Sequence, residues 1–227
     1  MGQLLLVRHG QASWGTENYD VLSPLGWEQS RLLGLELGRR VPTPDLVVHG
    51  DMRRHRETAE AAIEAAGWGS VETFEDADWN EFDHLGLLAS EPSPSGDREP
   101  TRAEFQAWFE IATARWTSGE FDAEYKESFP AFAARVDEAL LRTIDRIGSG
   151  GTAVVFTSGG PVSLAASGLL AAAAPDLPAS SYAGIWGQLN KVVVNSSVTK
   201  VVVGGRGATL VSFNEHCHLE GDGLTYR

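Results

Sequence analysis

Leu4, Leu5, Leu6 and Val7 run directly into Arg8, His9 and Gly10, so an apolar stretch ends in a guanidinium, an imidazole and a residue without a side chain. A short continuous apolar run predicts a strand covered on both faces, and open α/β sheets hold their ligands at the carboxyl ends of such strands. There His9 can act as nucleophile or base and Arg8 offers a planar fork for phosphate or carboxylate. Gly10 lets the backbone approach a bound group closely. Taken alone, Arg-His-Gly is a short string that equally suits a strand end with two solvated polar residues.

Phosphoryl transfer to a neutral imidazole would need cations on the equatorial oxygens, an open in-line path and an acid for the leaving oxygen. The second cation should be an arginine near a helix start, because a guanidinium binds phosphate in two directions where lysine supplies a point charge. Arg53, Arg54 and Arg56 all open one predicted helix. The polar stretch that follows, Glu75 to Pro100, is rich in Asp and Glu. A carboxyl that donates a proton near neutral pH would have to be kept protonated by burial and nearby phosphate charge, and in an acidic loop it equally suits a solvated position. Gly159-Gly160-Pro161 joins an apolar run, Thr152 to Thr157, to an alanine-rich helix, and such a turn aims backbone N–H groups at one spot, which suits an anion.

The elements that must position these groups alternate between strand and helix. Ser23 before Pro24 supplies a cap and a first-turn proline, and Leu25, Leu32, Leu33 and Leu37 give a helical face to about Arg40. Leu46 to His49 predicts a second strand, Arg53 to Ala66 a second helix ended by Gly67, and Val71 to Phe74 a third strand. Glu75 to Pro100 has no clean period and reads as an excursion over the site. Thr101 with Glu104 makes a capping box, and Phe105, Trp108, Phe109, Ala112 and Trp116 form one apolar stripe, read as core. A further amphipathic helix starts at Pro130. The stretch after Pro175 predicts strands over Lys191 to Val194, Val198 to Val203 and Ala208 to Phe213, and Asn195-Ser196-Ser197 is a glycosylation sequon without consequence in a cytoplasmic chain.

With 227 residues and 42% hydrophobic content, the chain can bury a sizeable core. A formal net charge of -13 argues against nucleic acid or an anionic membrane as partner, so a phosphorylated ligand must find a local positive pocket. Cys217 is the single cysteine and is expected as a small buried residue. It can form no internal disulfide; together with the lack of a basic leader, this makes the cytoplasm the expected compartment.

Arg8-His9-Gly10-Gln11, Trp14 and Leu22-Ser23-Pro24-Leu25-Gly26-Trp27-Glu28-Gln29 together resemble the opening of the histidine phosphatase superfamily, also called the phosphoglycerate mutase-like family. Gly50 to Ala59 resembles its Ser-x-Leu-x-Arg-Ala-x-Gln-Thr-Ala segment. Anchored on Thr58-Ala59, this implies Arg54 as the second clamp and leaves Arg53 and Arg56 on a solvated face. Trp79 to His84 resembles the segment with the family's proton donor, implying Glu81, with Asp83 in reserve. Val154 to Pro161 resembles Val-x-Ser-His-Gly-Gly, with Ser158 where the family has a second histidine. A hydroxyl gives one uncharged hydrogen bond there, and the lost charge-assisted contact could cost roughly two orders of magnitude in rate. Gly15 and Val21 stand where asparagine and arginine are common. His55, His84, His216 and His218 could each compensate, although each reads first as a surface or structural histidine. Phe213 to Leu219 resembles the family's Asn-x-x-x-His-Leu close and makes His218 a structural residue behind the site.

The resemblance implies one α/β domain over residues 1–227, three-layered with a mostly parallel sheet, and residues 75–147 as a lid or insertion. It implies His9, Arg8, Arg54 and Glu81 as catalytic residues, Gly10, Gln11, Ser158 and Gly159 around the phosphate, and neither metal nor cofactor. The expected substrate is small and phosphorylated. Phosphomonoester hydrolysis is preferred over mutase chemistry because the mutases' Glu-Arg-His-Tyr-Gly is here Glu81-Phe82-Asp83-His84-Leu85. Mutase-type transfer and an impaired member that binds phosphorylated ligands are the alternatives. If Ser158 is the deficit, Ser158→His should raise the rate.

Overall fold

The computed structural model describes residues 1–13, 20–96, 98–174, 176–178 and 180–226. Among them are six strands in one sheet and seven α-helices: β1 Gly2–Arg8, α1 Pro24–Arg40, β2 Leu46–His49, α2 Arg53–Ala66, β3 Thr73–Glu75, α3 His84–Ala89, α4 Arg102–Thr117, α5 Phe129–Ile147, β4 Thr152–Thr157, α6 Gly159–Ala173, α7 Ser180–Asn190, β5 Val198–Gly204 and β6 Gly207–Glu215. No described helix is long and apolar enough to cross a membrane.

The sheet order is β3-β2-β4-β1-β5-β6. β1 to β4 are parallel where they pair, while β5 runs antiparallel to β1 and β6 antiparallel to β5. The two central strands hand the chain on in opposite directions: β1 leads through α1 to β2, and β4 leads through α6 and α7 to β5. Their adjoining carboxyl ends therefore form a switch point, where connections leave a crevice rather than fill it.

Both faces of β1 and β4 are covered, which is why their sequences are continuous apolar runs instead of alternating ones. Leu5, Val7, Val154 and Phe156 share one core with Leu33 and Leu37 of α1, Ala59 and Ala62 of α2, and Trp68. Leu4, Leu6, Ala153 and Val155 point the other way and are equally buried, as is the first half of α6. α1 and α2 touch through their backbones, since a Cβ on Gly34 would lie 2.5 Å from Ala62 O. Ser23 caps α1 by accepting from Gly26 N, and Gly67 ends α2 at φ 74°.

Four local expectations change. The third strand is Thr73–Glu75, shorter than Val71 to Phe74. Within Glu75 to Pro100 lie a 3₁₀ turn at Ala77–Trp79 and the helix α3, each opened by an aspartate cap, Asp76 and Asp83. Lys191 to Val194 is no strand but the turn after α7. Asn214, itself at φ 61°, accepts from Val194 N at 2.8 Å and donates to Val192 O at 2.8 Å, so a side chain serves backbone groups that a ladder would have used. Cys217 is exposed.

By compactness the chain divides into residues 1–81 with 136–227, and residues 82–135. The smaller unit has an aromatic core: Phe82 stacks on Trp116 at 5.0 Å, Trp116 meets Phe129 edge-on at 5.1 Å, and Phe132 lies 5.6 Å from both Phe82 and Trp116. The α4 stripe contributes Trp116 and Ala112, both fully buried, and the Thr101 and Glu104 capping box is formed in both directions.

Candidate active site

His9 continues β1 past its last paired residue. Its N–H donates to Thr157 O of β4 at 2.8 Å, and its carbonyl accepts from Ser196 N and Asn195 Nδ2, each at 3.2 Å. The imidazole is 4% exposed. Nδ1 lies 2.7 Å from Gly10 O, and since a carbonyl can only accept, the proton belongs on Nδ1 and the free lone pair on Nε2. Burial holds the His9 pKa well below its usual value, helped by the charges of Arg54 and Arg8 and by His55. A neutral imidazole with its lone pair on a fixed nitrogen is what nucleophilic attack needs.

The loop behind it is tied down on both sides. Gly10 N donates to Thr58 Oγ1 at 3.0 Å and Gln11 N to Gln29 Oε1 at 2.8 Å. Gly26 lets α1 press against this loop, because a Cβ there would sit 2.1 Å from Gln11 O. The Gln11 side chain accepts from Ser23 Oγ at 2.8 Å and so joins the loop to the start of α1.

On α2 the three arginines separate. Arg54 is buried and donates to Asp20 Oδ1 at 2.7 Å, whereas the Arg53 and Arg56 side chains are about half exposed and pair with Glu57 and Glu75. Of the three, Arg54 is the charge felt at His9. Glu57 accepts from Leu22 N at 2.7 Å. Asp20, which orients Arg54, had no signal in the sequence. Arg8 donates to the backbone carbonyls of Val193 and Tyr226, and its Nε lies 3.7 Å from where a Gly159 Cβ would stand.

Glu81 accepts from Gly160 N at 3.1 Å, which seats its carboxyl over the amino end of α6. It is carried there by Trp79, whose carbonyl accepts from Thr157 Oγ1 and whose buried indole N–H reaches Thr143 Oγ1 at 3.4 Å. Asp83 accepts from Gly86 N as the cap of α3. Ser158 is the capping residue of α6, yet its side chain makes no capping bond. Its hydroxyl is instead 2.7 Å from Nε2 of His55, and the His55 ring lies 5.8 Å from that of His9. Thus His55 stands not on a surface but fully buried beside the candidate nucleophile. The only hint in sequence was that positions 55 and 158 both depart from the pattern they resemble.

Behind the site, Asn195, Ser196 and Ser197 are buried, with Ser196 at φ 60° and its N–H on the Arg8 and His9 carbonyls. This sequon is a structural brace. His218 donates from Nε2 to Ser196 O at 3.0 Å, in the supporting position expected of it. His216 donates to Asn214 O, and His84 opens α3. The readings of Trp14 and Gly15 fall outside the described residues.

A buried imidazole at the switch point of a mostly parallel sheet, with two guanidinium groups and a carboxyl on the flanking segments, gives this α/β protein a site with the chemistry to receive an anion. The chain belongs to the histidine phosphatase superfamily (branch 1), whose model matches residues 4–216. It is 28% identical over 159 residues to a 2,3-bisphosphoglycerate-dependent phosphoglycerate mutase of Novosphingobium aromaticivorans, covering 65% of this chain and 68% of that one. It is 34% identical over 92 residues to the protein of the same description from Chelativorans sp., covering 38% of this chain and 45% of that one, so this match spans under half of that relative. In fold it resembles phosphoserine phosphatase of Entamoeba histolytica, with a TM-score of 0.67, 19% identity and coverage of 97% and 100%. The Bacillus anthracis phosphoglycerate mutase fits with a TM-score of 0.62, 18% identity and coverage of 95% and 94%.

Proposed function

We propose that this protein hydrolyses a small phosphomonoester through a phosphohistidine formed on His9. The observation that carries the reading is the 2.7 Å contact of His9 Nδ1 with Gly10 O, which assigns the proton to Nδ1 and leaves Nε2 as a nucleophile kept neutral by burial and by the charges of Arg54 and Arg8. Nε2 attacks phosphorus as the ester P–O bond breaks, and the leaving oxygen takes the Glu81 proton. Glu81, now a carboxylate, removes a proton from water, whose oxygen displaces Nε2 and releases inorganic phosphate. Arg8 and Arg54 offset charge on the phosphoryl oxygens in both steps, and the N–H of Gly159, in the first turn of α6, is the backbone donor for the anion, since those of Gly10 and Gln11, also expected there, are taken by Thr58 and Gln29. We place the substrate among small cytoplasmic metabolites.

Turnover of para-nitrophenyl phosphate that disappears in His9→Ala tests the reading, and equal rates in the two proteins would refute it. Acid-labile phosphate trapped on His9 after a quench identifies the intermediate. Mutase-type transfer is the second reading, favoured by the curated relatives. It would appear as transfer from 2,3-bisphosphoglycerate to a monophosphoglycerate faster than release of phosphate. Ligand binding without turnover would mark an impaired member.

A further inference from the structure

His55 is wholly buried, and the two nitrogens of its ring have different surroundings. Nε2 is 2.7 Å from Ser158 Oγ. Nδ1 has no hydrogen-bond partner among the described residues and faces Gly50, where an added Cβ would lie 2.3 Å from it. A buried N–H without an acceptor costs more than a bare lone pair, so the partners assign the proton to Nε2. Nε2–H then donates to Ser158 Oγ, and the hydroxyl proton of Ser158 is left over.

The place where that proton can go follows from the sheet register. Arg8 pairs with Thr157 across parallel strands, so His9 and Ser158 are the next residues of two neighbouring strands and their side chains leave on the same side. The ring separation of 5.8 Å keeps His55, and with it the Ser158 hydroxyl, beside the space above His9. Burial, followed by the charges of Arg54 and His49, holds the His55 pKa well below its usual value, so the ring stays a neutral single donor.

We propose that His55 and Ser158 act as one unit, in which the His55 imidazole positions the Ser158 hydroxyl to donate to an oxygen of the phosphoryl group bound at His9. His55 is thus a positioning residue and Ser158 the contact. The proposal rests on the reading of the His9 site as one for phosphoryl groups. The position one residue beyond the arginine clamp gains a role, and the absence of a charged group at 158 is offset by a polarised hydroxyl.

The test uses orthovanadate as the phosphoryl mimic, with binding to the full chain measured by calorimetry for the wild type, Ser158→Ala, His55→Leu, the double variant and His55→Gln. A hydrogen bond to a charged group predicts affinity lower by roughly ten-fold or more in each of the first two variants. The double variant should be no worse than either, because both remove one contact. Glutamine, which can still donate at the reach of Nε2, should recover most of the loss. Thermal melting shows whether each variant folds, and if His55→Leu does not, Ser158→Ala and His55→Gln carry the comparison. Nitrogen-15 spectra of the wild-type histidines should show an Nε2–H tautomer at His55. Wild-type affinity in His55→Leu, losses that multiply in the double variant, or an Nδ1–H tautomer would each overturn the proposal. Wild-type protein that binds no vanadate would overturn it together with the phosphoryl site. The expected binding pattern without His9-dependent turnover would uphold the unit and refute hydrolysis. Turnover that depends on His9 and ignores position 55 would refute the unit alone.

Discussion

Acid should weaken this fold through two imidazoles that have no room for a charge. His9 and His55 are both buried, and burial is the first cause that lowers each pKa below the usual 6.5. The unfolded chain therefore takes up two protons as pH falls through 6.5, while the native state takes them up only at lower pH. Stability is full above 6.5 and is lost as pH drops toward the folded values. Each excluded proton costs about 1.4 kcal/mol per pH unit in that window, so the pair costs about 2.7 kcal/mol per unit. For a domain of this size that is about 5–10 °C in melting temperature. Glu104, held down to about 2 by Arg98 and by Thr101, stays ionised and leaves the window unaffected. The assay is urea unfolding at pH 7.5, 6.5 and 5.5 at constant ionic strength, with the m-value checked for constancy. His55→Gln serves as the comparison and should show a slope shallower by about 1.4 kcal/mol per pH unit, since burial also lowers His218 in both proteins. Taking the difference between the two proteins removes the opposing effect of a shrinking negative net charge. A variant with the wild-type slope, or wild-type stability that is level from pH 7 to 5.5, would refute the assignment of neutral buried imidazoles.

Gly26→Ala should destabilise by about 1–3 kcal/mol and also slow turnover, because the new methyl meets the Gln11 backbone 2.1 Å away; chemical unfolding and a phosphatase assay measure the two effects. Glu81→Gln should slow hydrolysis of an alkyl phosphate by about 100-fold or more and that of para-nitrophenyl phosphate much less, since a good leaving group needs little proton donation; equal losses on both would remove Glu81 as the acid. Ser158→His alone should impair the protein rather than improve it, because His55 already lies 2.7 Å from the Ser158 hydroxyl, whereas its combination with His55→Ala should recover activity; steady-state rates decide. Asn195→Ala should cost about 1–3 kcal/mol on urea unfolding, through the bonds it makes to His9 O and Thr225 Oγ1.

Several features were legible in the chain because they are local. Leu4 to Val7 and Thr152 to Thr157 announce strands covered on both faces, and the structure covers them so. Ser23-Pro24 and Thr101 with Glu104 announce helix starts through contacts three residues apart, and both form. The strand-to-helix joints at His9 and Ser158 follow from the same short-range signals. Lys191 to Val194 misled because its β-branched run lacks a ladder partner, its backbone being served by Asn214 twenty residues on.

The sequence by itself determined the class of fold, the family, and which strand end carries an imidazole beside a guanidinium, since each is written in neighbouring residues. The resemblance already singled out Arg54 among the three arginines on α2, whereas the tertiary structure alone decided that Asp20 orients it and that His55 bonds to Ser158 more than a hundred positions away. Side chains one residue apart on a helix differ by about 100° in direction, so only the packing of α2 against β4 selects the ones that meet His9.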